Sequence, residues 1–182
     1  MTYNPTIHRR KSIRLKEYDY SQADLYFITL CTHDRMPLFG EIIDGQMQFN
    51  ESGIVADEEW RKTEHIRSNI VLHEFVIMPN HVHGIIELVG AHCMRPHGIR
   101  PECAGSDEQP ERVQRAPTVG DIVRGFKSSV TKRLNAISGT SSQRFWQRNY
   151  YEHIIRNEGA YLKIAEYIQT NPQRWEEDTY HV

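Results

Sequence analysis

The stretch from Ile70 to Val89 constrains the architecture of this chain more than any other. Ile70-Val71-Leu72-His73-Glu74-Phe75-Val76-Ile77-Met78 is rich in β-branched and apolar residues and reads as a strand. Pro79-Asn80 is a turn signal, and the apolar run from His81 to Val89 then returns antiparallel. Two histidines open the returning strand one residue apart, in His81-Val82-His83. Alternate side chains of a strand share a face, so both imidazoles project together. A pair of imidazoles on a rigid strand is half of a divalent-metal site. A lone histidine there more often meets solvent or a hydrogen-bonding neighbour, but the pair favours the metal.

The remaining elements are arranged around this hairpin. Leu25-Tyr26-Phe27-Ile28-Thr29-Leu30-Cys31-Thr32 reads as a central strand. Asp44-Gly45 divides Glu41–Phe49 into a small hairpin. Asn50 or Ser52 is placed to cap a helix running to about Arg67, with Ile54, Val55 and Trp60 among its apolar contacts. Thr118 precedes a helix from Val119 to about Ile137, with an apolar stripe of Ile122, Val123, Phe126, Val130 and Leu134. Residues 145–156 form an aromatic and basic strip, partly extended. A last helix spans about Glu158 to Thr170, and Pro172 disfavours helix at Asn171. This order predicts an α+β sandwich, with helices packed on a central antiparallel sheet.

At 182 residues with 38% apolar content, the chain suits one domain carrying an insertion. Residues 90–117 lose the apolar pattern and read as a mobile surface loop. His92, Cys93, His97 and Cys103 fall in it, but their spacing fits no compact zinc pattern. The net charge of −2 leaves the distribution of charge as the informative quantity. No apolar run is long enough to span a bilayer, which argues against a membrane partner. Cys31, Cys93 and Cys103 form an odd set without close pairing, as expected of thiols in the cytoplasm.

The last helix carries the second chemical signal. Leu162, Ile164, Ala165 and Ile168 supply its packing, while Tyr167 and Asn171 lie four apart and share a face. An Asn carboxamide oxygen can complete the shell of a hard metal ion. A tyrosine beside that metal is either a nucleophile or a bystander to a metal that polarises phosphate itself. A free phenol has a pKa near 10 and needs help to attack. Tyr150 and Tyr151 are rival nucleophiles, but neither has a candidate ligand one helical turn away. Glu74 and Glu87 lie near the histidines in sequence, and Glu87, which shares their strand face, is a candidate to support them.

Met78-Pro79-Asn80-His81-Val82-His83-Gly84 resembles the HUH motif of single-tyrosine transposases in its usual setting. Glu166-Tyr167-Ile168 followed by Asn171-Pro172 resembles the catalytic helix of one branch, the REP-associated tyrosine transposases, relatives of small insertion-sequence transposases. The 9–20 stretch, Gly120-Asp121-Ile122-Val123 with Phe126-Lys127-Ser128, and Phe145 to His153 also resemble this branch. The resemblance covers nearly the whole chain, with loop 90–117 the least matched. The resemblance implies a ferredoxin-like fold and a Mg²⁺- or Mn²⁺-dependent endonuclease and strand transferase acting on single-stranded DNA. It implies His81, His83 and Asn171 as metal ligands, and Tyr167 as the nucleophile that forms a 5′-phosphotyrosine link. It further implies a hairpin-forming palindromic repeat as the DNA partner, bound by a monomer or a homodimer.

DNA contacts have their own signal in the sequence. Arg9, Arg10, Lys11, Arg14 and Lys16 form a basic cluster. Arg124, Lys127, Lys132 and Arg133 add cations to the 118–136 helix, and Arg148 lies among Phe145, Trp146, Tyr150 and Tyr151. Basic side chains meet phosphates, and exposed aromatics stack on unpaired bases. Arg124, Lys127, Lys132, Arg148 and Tyr150 join the N-terminal cluster as expected DNA contacts. Three function classes follow: an active transposase-like nuclease, a domesticated hairpin binder without turnover, and a hydrolase that uses water. The intact set His81, His83, Tyr167 and Asn171 favours the first.

Overall fold

A computed structural model describes residues 24–89, 117–140 and 143–181 of the chain. The basic cluster from Arg9 to Lys16 and residues 90–116 of the expected loop lie outside the described residues.

Four strands make one antiparallel sheet: β1 (Asp24–Cys31), β4 (Ile70–Met78), β5 (His81–Leu88) and β6 (Tyr151–Ile155), in the order β4-β5-β1-β6. Helix α1 (Glu51–Ile66) links β1 to β4, and α2 (Val119–Ser138) links β5 to β6. Each crossover skips one position, which a strand of the other unit fills, so the sheet has the ferredoxin-like split pattern. The short hairpin β2 (Gly40–Ile43) and β3 (Gln46–Phe49) stands apart from this sheet. Its turn residues Asp44 and Gly45 both take positive φ, as a tight hairpin requires.

Strand alternation sends the two faces to different helices. Tyr26, Ile28, Leu30, Val82, Ile86 and Ile77 point to α1 and α2 and meet Trp60, Phe126 and Val130 in the main core. The opposite face presents Phe27, Val76, Ile85 and Ile155 to helix α3 (Glu158–Thr170), which buries Ala165 and Ile168 on them. His81 and His83 belong to this second face by parity. Among the described residues, no helix is long and apolar enough to cross a membrane.

The caps and stripes agree with the sequence. Asn50, not Ser52, caps α1, accepting from the Gly53 backbone N–H at 3.0 Å. Thr118 and Asp121 form a reciprocal capping box on α2. All five residues of the α2 stripe are buried. Arg133 binds Glu58 and Glu59 of α1 at 2.7 and 2.9 Å, closing the seam between the helices.

Three expectations need correction. Ile54 and Leu162 are exposed rather than packed, because each lies on the solvent side of its helix. Asn171 keeps helical φ and ψ despite the following proline, and the chain tightens there into a 3-10 turn over Asn171–Glu177. Proline at the first position of a turn loses no hydrogen bond, which makes this continuation tolerable. Glu87 does not support His81 or His83. It pairs with His73 Nε2 at 2.9 Å, beside a bulge in β4 between Leu72 and Phe75. Tyr161 of α3 donates to Glu74 at 2.6 Å in the same cluster, fastening α3 to β4.

Gly84 follows the histidines because Trp60 lies against its backbone. A Cβ there would stand 2.5 Å from the Trp60 ring. Gly84→Ala is expected to destabilise the protein by about 1–3 kcal/mol, read as a lower urea midpoint at constant slope. An unchanged midpoint would mean that the indole moves freely.

Candidate active site

His81 and His83 are almost completely buried, at 0% and 1% exposure, because α3 and the segment after it close over the first half of β5. Their ring centroids lie 4.4 Å apart. Each Nδ1 is engaged by a neighbour. His83 Nδ1 lies 2.8 Å from the Thr29 hydroxyl on the adjacent strand. His81 Nδ1 lies 2.8 Å from Asn80 Oδ1. The Asn80 amide nitrogen donates to the backbone carbonyls of Arg35 and Tyr180, at 3.2 and 2.8 Å. Those two bonds fix which way the carboxamide faces, so Oδ1 accepts the His81 Nδ1–H and the Nε2 lone pair is left for the site.

Burial keeps both rings neutral at pH 7. It pushes His81 down to about 4, against the opposing pull of Asp178 and Asn171. It pushes His83 well below the ordinary histidine range, with His81 adding to the shift. Neutral imidazole is the ligating form.

Helix α3 delivers the other partners. The Tyr167 hydroxyl lies 3.1 Å from His83 Nε2 and 3.4 Å from Asp178 Oδ2. The Asn171 amide donates to Asp178 Oδ2 at 2.6 Å, which turns its Oδ1 the other way. His81 Nε2 and Asn171 Oδ1 are both buried without a hydrogen-bond partner among the described residues. Orphaned buried polar atoms are uncommon, and an ion is one of the few things that satisfies them. His81, His83 and Asp178 bring ligand atoms within 4.8 Å of one another, a group that can bind a metal ion. Two imidazole nitrogens with oxygen donors suit a divalent transition ion better than they suit Mg²⁺ alone.

Burial, Asp178 and Tyr180 raise the Tyr167 phenol above its ordinary range, so it is protonated at neutral pH. Tyr167 is nevertheless 37% exposed, so the residue lies at the surface of the site.

Tyr167, His81, His83 and Asn171 thus lie together. Sequence reasoning missed Asp178 and Tyr180, which lies over both histidine rings at 4.7 and 5.6 Å. The polar stretch after Pro172 has no periodicity that would signal either residue.

The expected DNA contacts on α2 gather elsewhere. Arg124, Lys127, Lys132, Arg148 and Tyr150 line one groove of about 510 Å³. It belongs to α2, on the opposite face of the sheet from α3. Arg148 and Lys132 are exposed. Arg124 pairs with Asp121 on its own helix. Lys127 donates to the carbonyls of Gln147 and Asn149, at 2.9 and 3.2 Å, and burial lowers its ammonium to about 8. Phe145 and Trp146 are core residues.

No family model matches the chain. An uncharacterized protein of Haemophilus influenzae is 44% identical over 183 residues, spanning 99% of this chain and 97% of that one. The two proteins belong to one family. A solved REP-associated tyrosine transposase, bound to a REP hairpin, superposes with a TM-score of 0.56 at 20% identity. The match covers 90% of this chain and 74% of that one. The chain has the fold of a REP-associated tyrosine transposase.

Proposed function

We propose that the protein is a metal-dependent endonuclease and strand transferase for single-stranded DNA, cleaving beside hairpin-forming repeats. The observation that carries this reading is the Tyr167 hydroxyl lying 3.1 Å from His83 Nε2, beside the orphaned His81 Nε2 and Asn171 Oδ1. A hydrolase that uses water has no need of a tyrosine so placed. The likeness to a transposase that binds a REP hairpin supports the substrate class.

His81, His83 and Asn171 would hold Mg²⁺ or Mn²⁺, with Asp178 close enough to join them. When bound, the ion supplies positive charge against the phosphate and the phenolate. With His83 Nε2 given to the ion, the Tyr167 hydroxyl would keep its contact with Asp178 at 3.4 Å. Asp178 then remains as the acceptor nearest the phenol proton. The Tyr167 oxygen attacks phosphorus, an oxygen–phosphorus bond forms, and the bond from phosphorus to O3′ breaks. The phenol proton passes to Asp178 and through it to the released O3′, which leaves as a 3′-hydroxyl while the 5′-phosphate stays on Tyr167. The ester conserves the energy of the broken bond, so the step reverses without an external energy source. The groove of Arg124, Lys132 and Arg148 supplies cations for the DNA backbone.

The reading is tested with a labelled hairpin oligonucleotide made from palindromic repeats flanking the gene, incubated with Mn²⁺ and run on a denaturing gel. A protein–DNA adduct that chelator prevents is expected. Cleavage without adduct would make water the nucleophile, and binding with neither would favour the domesticated binder.

Asn80 acts through His81. Asn80→Ala is expected to weaken Mn²⁺ binding by about 10–100-fold, as loss of a ligand's supporting partner does, measured by titration calorimetry. Native affinity in that variant would confine Asn80 to holding the turn.

A further inference from the structure

The strip 145–156 holds four aromatic side chains, and the fold occupies three of them. Phe145 and Trp146 are core, and Tyr150 packs against the same core with its hydroxyl donating to Glu152 at 2.7 Å. Tyr151 faces the other side of the sheet and is 50% exposed. It begins β6, which ends the four-stranded sheet. Thr29 pairs with His83 on one side and with Tyr151 on the other, so the three residues form one row across the sheet. Strand spacing puts the Tyr151 backbone about 10 Å from that of His83. Phe27 bridges the gap, with its ring centroid 5.3 Å from His83, 6.2 Å from Tyr151 and 6.3 Å from Tyr167. Helix α3 covers Ile155 farther along β6, while His153, the next residue on this face, stays exposed.

The geometry points to Tyr151, flanked by His153, as a stacking site for one unpaired nucleobase next to the phosphate that Tyr167 attacks. This rests on the DNA reading above. The edge-on contact with Phe27 holds the phenol ring in place, so stacking costs little conformational entropy. The row of residues leads from that ring to the site. Tyr151 also lies on the face of the sheet opposite the α2 groove, so it serves the unpaired strand rather than the backbone contacts there. A π-face accepts any base, so the site fixes the position of the strand rather than its sequence.

The test places 2-aminopurine in turn at each nucleotide flanking the cleavage position of the hairpin oligonucleotide. One position is expected to lose emission on binding to the wild type and to Tyr151→Phe, but not to Tyr151→Ala. Tyr151→Ala is expected to bind about 5- to 150-fold more weakly, equivalent to about 1–3 kcal/mol for one base–aromatic stack. An abasic nucleotide at that position should weaken the wild type alike and leave Tyr151→Ala unaffected. Equal binding and equal quenching by wild type and Tyr151→Ala would overturn the site. If the hairpin is not bound, the same comparison on an unstructured oligo-dT carrying 2-aminopurine decides, and quenching independent of Tyr151 overturns it there. Tyr167 adduct formation is scored on the same samples. An adduct without Tyr151-dependent quenching rejects the stacking site alone, whereas quenching without an adduct rejects the transesterase alone.

Discussion

Tyr167→Phe is expected to abolish the covalent protein–DNA adduct, lowering cleavage by at least about a thousand-fold while hairpin affinity stays within a few-fold of native. The substitution removes one oxygen atom. The ring keeps its contacts with His83 and Phe27, at 5.2 and 6.3 Å, so α3 stays seated. What disappears is the hydroxyl that lies 3.1 Å from His83 Nε2 and 3.4 Å from Asp178. Tyr150 does not replace it, because its hydroxyl is bound to Glu152 and it packs on the other face of the sheet. Tyr151 shares the face of Tyr167 but, among the described residues, meets the site through Phe27. The measurement is a denaturing gel of labelled hairpin with Mn²⁺, together with a gel-shift titration. An undiminished adduct in the variant would move the nucleophile to another residue. Undiminished cleavage with no adduct in either protein would move it to water.

His81→Ala is expected to weaken Mn²⁺ binding by more than about 100-fold, beyond the range typical of a residue that only supports a ligand. His81 Nε2 is buried and has no hydrogen-bond partner among the described residues, so its loss removes a donor and no bond to them on that side. On the other side, Asn80 Oδ1 loses its Nδ1–H partner, which costs about 1–3 kcal/mol of stability. The two effects separate experimentally. Calorimetric titration with Mn²⁺ reports the first, and a urea midpoint reports the second. Adduct formation should vanish in the variant even at temperatures where it is fully folded. Native Mn²⁺ affinity in a folded His81→Ala protein would exclude His81 as a ligand and leave His83, Asn171 and Asp178 to be tested.

Local rules in the sequence determined the elements and half of the site. The apolar run after Pro79-Asn80 specified β5, and strand period put His81 and His83 on one face. Helical period put Tyr167 of α3 and Asn171, the residue that ends it, on one face, and the caps Asn50 and Thr118 marked where α1 and α2 begin. Each of these depends only on near neighbours in the chain. Tertiary structure decided which sides of the helices were covered, leaving Ile54 and Leu162 in solvent although both are apolar. It also sorted the aromatic strip, sending Phe145 and Trp146 to the core and Tyr151 to the surface beside Phe27. Asp178 joins the histidines only because the chain turns back after Asn171, through a 3-10 segment with no periodic signature. A contact between residues about a hundred positions apart, such as Asn80 with the Tyr180 carbonyl, is set by the packing of whole elements, which no local pattern encodes.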